Sequence, residues 1–362
     1  MARLSILHIA NSLGAGGAER FVTDLARAQA ETGDQPHIVT LSDAADLGDT
    51  SGLDAARRQA LEADGIAVSC IGHRARRSLF PAARRLRRVV DELRPDLIHS
   101  HLLTGLLLLR VGGIAGPVVA THHNTPLPAP AWLFRLIARR ADAYVAISKA
   151  ALPRLARVYR GPVALIANGI ALDPATEPAE HPDGPLQIIS LGSLKQAKNY
   201  PRLVDIAAAL RDRGIAARFR IAGEGPDRRA IERRIAEHGV QDMVALLGAR
   251  SDAGALLRSS DLYLLTSDWE GMPIALLEAL QAGLPVIAAD VGACGEIIGC
   301  DGGCGFLVPP GDVDSYCERI AGLAQDAERR LAMAAAARAR ARGFSITKSW
   351  AAYRALYAQV VP

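Results

Sequence analysis

The stretch Asp268-Trp269-Glu270-Gly271-Met272-Pro273-Ile274-Ala275-Leu276-Leu277-Glu278 separates two glutamates by seven residues across a helix start. Pro273 suits a first helical turn, where its missing N–H costs nothing, and Gly283 with Pro285 supplies a stop. Glu270 is therefore expected in the loop before the helix and Glu278 inside it. Unpaired N–H groups of the first turn, aided by the helix dipole, favour a negatively charged ligand there. Two acceptor-only carboxylates beside such a site suit a molecule that is part phosphate and part polyhydroxyl, and a nucleotide-sugar is one.

Elements that could position such a site alternate along the chain as apolar strand-like runs and helix-like segments, the pattern of parallel sheets with helices on both faces. The first series begins at Leu4 to Ala10 and runs through Pro36 to Leu41, Ile66 to Ile71, Leu97 to His99, Val118 to Thr121, Ala143 to Ile147 and Val163 to Ala167. Leu172 to Pro185, with Pro174, Pro178, Pro182 and Gly184 among acidic residues, reads as a linker. A second series starts at Leu186 to Leu191 and continues through Arg218 to Ala222, Val244 to Leu247, Leu262 to Leu265 and Pro285 to Ala289. The expected organisation is an N-terminal domain over 1–170, a linker over 171–185, a second domain over 186–342 and a last helix within 343–362. Both domains are α/β and doubly wound, facing each other across a cleft at the carboxyl ends of their strands.

Composition excludes several classes. The 362 residues exceed one ordinary core, half are hydrophobic, and no apolar run approaches the ~18 to 20 residues of a spanning helix. The amino terminus lacks a long apolar region or a small-residue cleavage site, so a cytoplasmic location is expected. Five cysteines argue against a disulfide framework, and the spacing of Cys294, Cys300, Cys304 and Cys317 matches no common zinc pattern. No metal is expected. The net charge of +4 arises before residue 181. There Arg74, Arg76, Arg77, Arg84, Arg85, Arg87 and Arg88 cluster beside Leu79, Phe80, Leu86, Val89 and Val90, either a solvated helix face or a patch for anionic lipid. Stacking aromatics and nucleic-acid recognition modules are missing, so no nucleic-acid partner is expected.

Further candidates lie at strand ends. Asn11 to Arg20 is a glycine loop opening a helix, but Glu19 stands where a dinucleotide fingerprint needs glycine. Asp43 could still hold a ribose, which keeps a dehydrogenase reading open. His122 and His123 follow a strand, and His99 and His101 fit packing at a strand end. Gly192-Ser193-Leu194-Lys195-Gln196-Ala197-Lys198-Asn199 follows the first strand of the second series.

The glutamate pair resembles the E-x7-E signature of retaining glycosyltransferases, above all family 4. Leu262 to Leu265, Thr266-Ser267, the Glu-Gly-Met-Pro loop and Leu284 to Ala289 repeat the family order, and the matches span almost the whole chain. The resemblance implies the GT-B fold of two Rossmann-like domains, with the C-terminal helix over 343–362 returning to the N-terminal domain. It also implies a retaining, metal-independent transferase that needs no cofactor and takes a nucleoside-diphosphate sugar, UDP- or GDP-linked, as substrate. Glu278 is then expected on the ribose, Glu270 with the amides of Gly271 and Met272 and the turn at Pro273 on the sugar, and Lys198 on the diphosphate. Gly16 and Gly17 match Gly-Gly-x-Glu and would let backbone amides approach donor phosphates or acceptor. His123 matches the histidine that orients the reacting sugar, with His122 as fallback, and Arg250 lies in the segment that meets the nucleobase. Ser193 departs from the family's arginine and brings no charge, leaving Lys195 as a substitute. The acceptor expected from the family is a glycan or a lipid-linked glycan, in cell-surface polysaccharide or glycolipid synthesis. A peripheral position at the inner face of the plasma membrane would use Arg74 to Arg88. An epimerase of the same fold and a noncatalytic nucleotide-sugar-binding subunit are the rival readings.

Overall fold

The computed structural model describes residues 3–14, 16–43, 52–72, 78–123, 127–173, 184–299 and 303–361. The chain divides into two compact units, Met1–Ala171 with Ile346–Pro362, and Leu172–Ser345. Most of the expected linker, residues 174–183, lies outside the described residues.

The first unit contains β1 (Ser5–Ala10), α1 (Gly17–Glu31), β2 (Gln35–Thr40), α2 (Leu53–Ala63), β3 (Ala67–Cys70), α3 (Leu79–Leu93), β4 (Leu97–Ser100), α4 (Leu103–Val111), β5 (Val118–His122), α5 (Ala131–Ala138), β6 (Ala143–Ala146), α6 (Leu152–Val158) and β7 (Val163–Leu165). Its parallel sheet has the order β3-β2-β1-β4-β5-β6-β7. Strand order reverses direction between β1 and β4, and a doubly wound sheet binds its ligands beyond the carboxyl ends of the strands at that point. Buried aliphatic residues such as Leu7, Ile9, Ile98, Leu106 and Val118 fill the layers between sheet and helices.

In the second unit the elements are β8 (Leu186–Leu191), α7 (Tyr200–Asp212), β9 (Ala217–Ala222), α8 (Arg228–His238), β10 (Val244–Gly248), α9 (Ala253–Arg258), β11 (Leu262–Leu265), α10 (Ile274–Gln281), β12 (Val286–Ala289), α11 (Cys294–Ile298), β13 (Gly305–Val308), α12 (Val313–Gln325) and α13 (Ala327–Ala341). The sheet order is β10-β9-β8-β11-β12-β13, all parallel, and the reversal falls between β8 and β11. Edge strand β13 has no counterpart in the sequence reading, because Gly305-Phe306-Leu307-Val308 is short and glycine-led.

The last helix, α14 (Ile346–Val360), belongs to the first unit. Its aromatic spacing is a packing stripe: Trp350, Tyr353 and Tyr357 are buried, while Trp350 Nε1 donates to Thr32 Oγ1 at 2.8 Å. Arg354 bonds the fully buried carboxylate of Asp34 at 2.9 Å, a charge that would be costly to bury alone.

On α3 the apolar stripe is less available than the sequence suggests. Leu86 is fully buried and Val89 and Val90 are partly buried against the core, so the exposed residues of that apolar set are Leu79 and Phe80. Arg84, Arg85, Arg87 and Arg88 are exposed, whereas Arg74, Arg76 and Arg77 lie outside the described residues.

Candidate functional site

In the second unit, the turn after β8 and the turn after β11 sit side by side at the switch point and are stitched together. The chain after Gly192 makes one 3-10 turn, Gln196–Lys198, and Asn199 then takes the left-handed conformation at φ 44 to start α7. From there Asn199 Oδ1 accepts the Arg202 amide at 3.3 Å, while Nδ2 donates to both oxygens of Asp268 at 3.1 and 3.0 Å. Arg202 donates to Asp268 at 2.7 Å and to the Thr266 carbonyl at 2.9 Å. Thr266 Oγ1 donates back to the Lys198 carbonyl at 3.1 Å, and the Asp268 amide reaches the Ala197 carbonyl at 2.9 Å.

That stitching brings Lys198 Nζ to 2.6 Å from Glu270 Oε1, which also accepts from Ser267 Oγ at 2.6 Å. Glu270 is buried and Lys198 half-buried, so the pair sits where the dielectric is low and charge-assisted bonds are strong. The Glu270 loop is held from below by the turn after β12. Gly292 lies at φ +56, where an added Cβ would collide with the Glu270 carbonyl oxygen, and the Ala293 amide donates to Gly271 O at 3.0 Å. Beside it, Gly223 presses so closely on the Gly192 carbonyl that no side chain fits. Pro273 stands at the N-cap with extended backbone, not within the first turn, and the helix begins at Ile274. Met272 is buried under the loop, and Glu278 is partly buried on α10 between the core-facing Leu277 and Ala279.

Other candidates in this unit are less engaged. Ser193 accepts the Lys195 amide at its carbonyl at 2.8 Å, and the Lys195 side chain is exposed. Arg250 makes a two-pronged contact with Asp252 at 2.8 and 2.7 Å, an exposed pair of small energetic value.

In the first unit, Gly16 caps α1 in an extended conformation, and the Glu19 carboxylate occupies the space a Cβ on Gly16 would need. Gly17 is the first residue of α1. The loop is pinned by α2: Asp54 accepts the Leu13 amide at 2.7 Å, and Arg57 donates to the Leu13 carbonyl at 3.1 Å. Asp43 bonds Arg58 at 3.2 Å. At the neighbouring strand ends, His123 Nε2 lies 2.9 Å from His101 Nδ1, and His101 Nε2 lies 3.0 Å from His8 Nδ1. His99 bonds Thr121 and Tyr357, each at 2.7 Å. Burial pushes His8 down to about 4 and His123 to about 3, and holds His99 and His101 well below the usual imidazole range. All are neutral near pH 7. His8, His99 and His101 each bring a ring nitrogen within 4.8 Å of the others, a grouping that could hold a metal ion. The same ring nitrogens bond each other and neighbouring side chains.

Two profiles account for nearly the whole chain: Glycosyltransferase Family 4 over residues 15–174 and Glycosyl transferases group 1 over 174–340. The chain belongs to glycosyltransferase family 4. Among relatives, the putative colanic acid biosynthesis glycosyltransferase WcaL of Escherichia coli is 27% identical over 66% of this chain and 64% of its own length. The MMP alpha-(1->4)-mannosyltransferase of Mycolicibacterium hassiacum is 27% identical over 65% of this chain and 63% of its own. The chain thus spans just under two thirds of these relatives. Among solved structures, Anabaena Alr3699/HepE in complex with UDP and glucose superposes with a TM-score of 0.80 at 19% identity, over 98% of this chain and 100% of that one. The fold is GT-B, in two Rossmann-like units.

For this family 4 chain the structure joins Lys198, Glu270 and Ser267 in one cluster, and leaves Arg250 and Lys195 on the surface. The sequence reading passed over what holds that cluster. Arg202, one helical turn beyond Lys198, carries no motif signal, and Asp268 stood in the quoted stretch without a role. It also missed the contacts of His8, Gln29 and the α14 tyrosines with the strand-end histidines, residues too far apart in sequence for any spacing to join.

Proposed function

We propose that this chain is a retaining, metal-independent glycosyltransferase. It would move a sugar from a nucleoside-diphosphate sugar to a glycan or lipid-linked acceptor in cell-surface polysaccharide or glycolipid synthesis. The observation that carries the reading is the Lys198–Glu270–Ser267 cluster at the switch point of the second sheet, with Glu278 on the adjoining helix. One cation and two carboxylates at a strand-end crevice match a ligand with a diphosphate and two polyol ends. Support comes from the relatives named for colanic acid synthesis and mannosyl transfer, and from the neighbour holding UDP and glucose.

In this reading Glu278 accepts from the ribose hydroxyls, and Glu270 with the Gly271 and Met272 amides holds the sugar. Lys198 has three donors, so it can keep Glu270 while binding a diphosphate oxygen. The bond from the anomeric carbon to the phosphate oxygen breaks as the acceptor oxygen attacks on the same face. The leaving phosphate takes the acceptor proton, and no carboxylate nucleophile is required. His123 orients a sugar hydroxyl.

An anionic membrane surface is a proposed partner of the first unit. Phe80, 79% exposed, begins α3 and Trp132, 67% exposed, begins α5. Helices α3 and α5 both pack on α4 and start from the carboxyl edge of the sheet. Arg84, Arg85, Arg87 and Arg88 on α3 add exposed positive charge to the same unit. Among the described residues no helix is long and apolar enough to cross a membrane.

The test is a panel of UDP- and GDP-sugars, screened by thermal shift and then by NMR with candidate acceptors. Ligand-specific stabilisation and a product of unchanged anomeric configuration are expected. An epimerised donor, or binding without transfer or hydrolysis, would replace the reading with an epimerase or a binding subunit. Activity should survive EDTA; full loss restored by manganese would remove metal independence.

A further inference from the structure

The histidines of the first unit form a chain with a direction. His8 lies on β1, His101 follows β4 and His123 follows β5, three neighbouring strands of one sheet. The His8 and His101 rings are inclined by 23° and those of His101 and His123 by 26°, so successive rings are nearly parallel. At the inner end, His8 Nε2 lies 2.7 Å from Gln29 Oε1, and both residues are fully buried.

In the orientation that turns Gln29 Oε1 toward the ring, the amide oxygen only accepts, so His8 carries its proton on Nε2. Because His8 is neutral, its Nδ1 is then a bare acceptor, and His101 must donate from Nε2. The same step passes outward: His101 Nδ1 is bare and His123 donates from Nε2. His123 Nδ1 is left as a lone pair, buried and without a hydrogen-bond partner among the described residues. A second hydrogen-bonded partner commonly sets which imidazole nitrogen keeps its proton. Here the partner is a relay that ends at a side chain of α1.

We propose that Gln29, His8 and His101 are positioning residues that hold His123 in its Nε2–H tautomer, so that His123 acts as a hydrogen-bond acceptor toward a hydroxyl-bearing ligand. A bare imidazole nitrogen attracts an O–H and repels a phosphate or carboxylate oxygen, so His123 serves the neutral polyol part of the ligand and not its diphosphate. The identity of that ligand rests on the glycosyltransferase reading; the tautomer does not.

The experiment is long-range nitrogen–proton NMR on the histidine-labelled full chain near pH 7.5, for wild type, Gln29→Leu and Gln29→Glu. Wild type should show protonated Nε2 and bare Nδ1 at His8, His101 and His123. Gln29→Leu, which removes the terminal acceptor, should give a mixture of tautomers at His123; Gln29→Glu, which can only accept, should keep the wild-type pattern. With a donor and acceptor established, Gln29→Leu should lower kcat/KM about tenfold, the loss of one neutral hydrogen bond to ligand, with recovery in Gln29→Glu. A proton on Nδ1 of wild-type His123, or an unchanged His123 tautomer in Gln29→Leu, overturns the proposal. If Gln29→Leu does not fold, the wild-type and Gln29→Glu spectra still decide it, since either can show the wrong nitrogen protonated. Expected tautomers in a chain that transfers no sugar would overturn the glycosyltransferase reading and leave the relay standing.

Discussion

At the scale of single residues, charge and donor count decide what each group can hold. Glu278 is partly buried on α10 and, in the proposed reading, accepts from two ribose hydroxyls. Glu278→Gln keeps the shape and removes the charge assistance, each such bond being worth roughly 1.5 to 3 kcal/mol. Calorimetry should show donor affinity falling by at least tenfold; unchanged binding would take Glu278 out of the site. Lys198 differs, since its Glu270 contact at 2.6 Å exists without ligand. Lys198→Met would leave the buried Glu270 carboxylate with only Ser267 among the contacts described above, so this variant should lose stability as well as diphosphate affinity, whereas Glu278→Gln should lose affinity alone.

At the scale of elements, the site depends on how neighbouring turns are tied. Asp268 receives Asn199 and Arg202 together, and through them the β11 turn is locked to the start of α7. The pair is partly exposed, with side-chain exposures of 13% for Arg202 and 34% for Asp268, so Asp268→Asn should cost only about 1 to 2 kcal/mol by chemical denaturation. Its larger effect is expected on kcat/KM, because the loop carrying Glu270 would lose its register; wild-type kinetics would show the clamp to be dispensable. In the first unit the strand-end histidines make stability depend on pH. Their folded pKa values are depressed, to about 4 for His8 and about 3 for His123. Above pH 6.5 both states are neutral and the term vanishes. As pH falls below 6.5 the unfolded chain binds protons that the folded chain refuses, and stability drops by about 1.4 kcal/mol per pH unit for each such histidine. The loss should level off near pH 4 for His8 and near pH 3 for His123. Urea midpoints measured from pH 7.5 to 4.5 test this, and a flat profile would mean that the rings accept protons in place.

For the whole molecule, surface charge and exposed aromatics govern where it resides. A basic residue near an anionic bilayer contributes ~1 kcal/mol, screened by salt. Cosedimentation with anionic vesicles at low salt should therefore exceed that with neutral vesicles, and an Arg84→Glu, Arg85→Glu, Arg88→Glu variant should lose most of it. Trp132→Ala should weaken pelleting further, because the ring supplies apolar area that salt does not screen. Equal, negligible pelleting of all proteins would leave α3 an ordinary solvated face and favour a soluble acceptor. The charge reversal should spare folding, since Arg84, Arg85 and Arg88 are exposed while Ala82, Ala83 and Leu86 carry the packing of α3.

Local physics alone was enough for much of this protein. Alternating apolar runs and glycine stops marked nearly every strand within a residue or two, because a buried parallel strand must be apolar on both faces. The Glu270-to-Glu278 spacing and Lys198 were legible because they lie within single turns and their flanking helices. Strand β13 escaped because it is short and led by a glycine, and Pro273 fell one place outside the helix because N-cap and first-turn preferences overlap. What the tertiary structure decided is which distant residues meet. His8, His101 and His123 become neighbours only because β1, β4 and β5 adjoin in the sheet, and Tyr357 reaches His99 only because α14 packs on the first unit. Hydrogen bonds between residues separated by tens to hundreds of positions leave no periodicity in the chain; sheet order and helix packing create them, and with them the neutral state of the histidines.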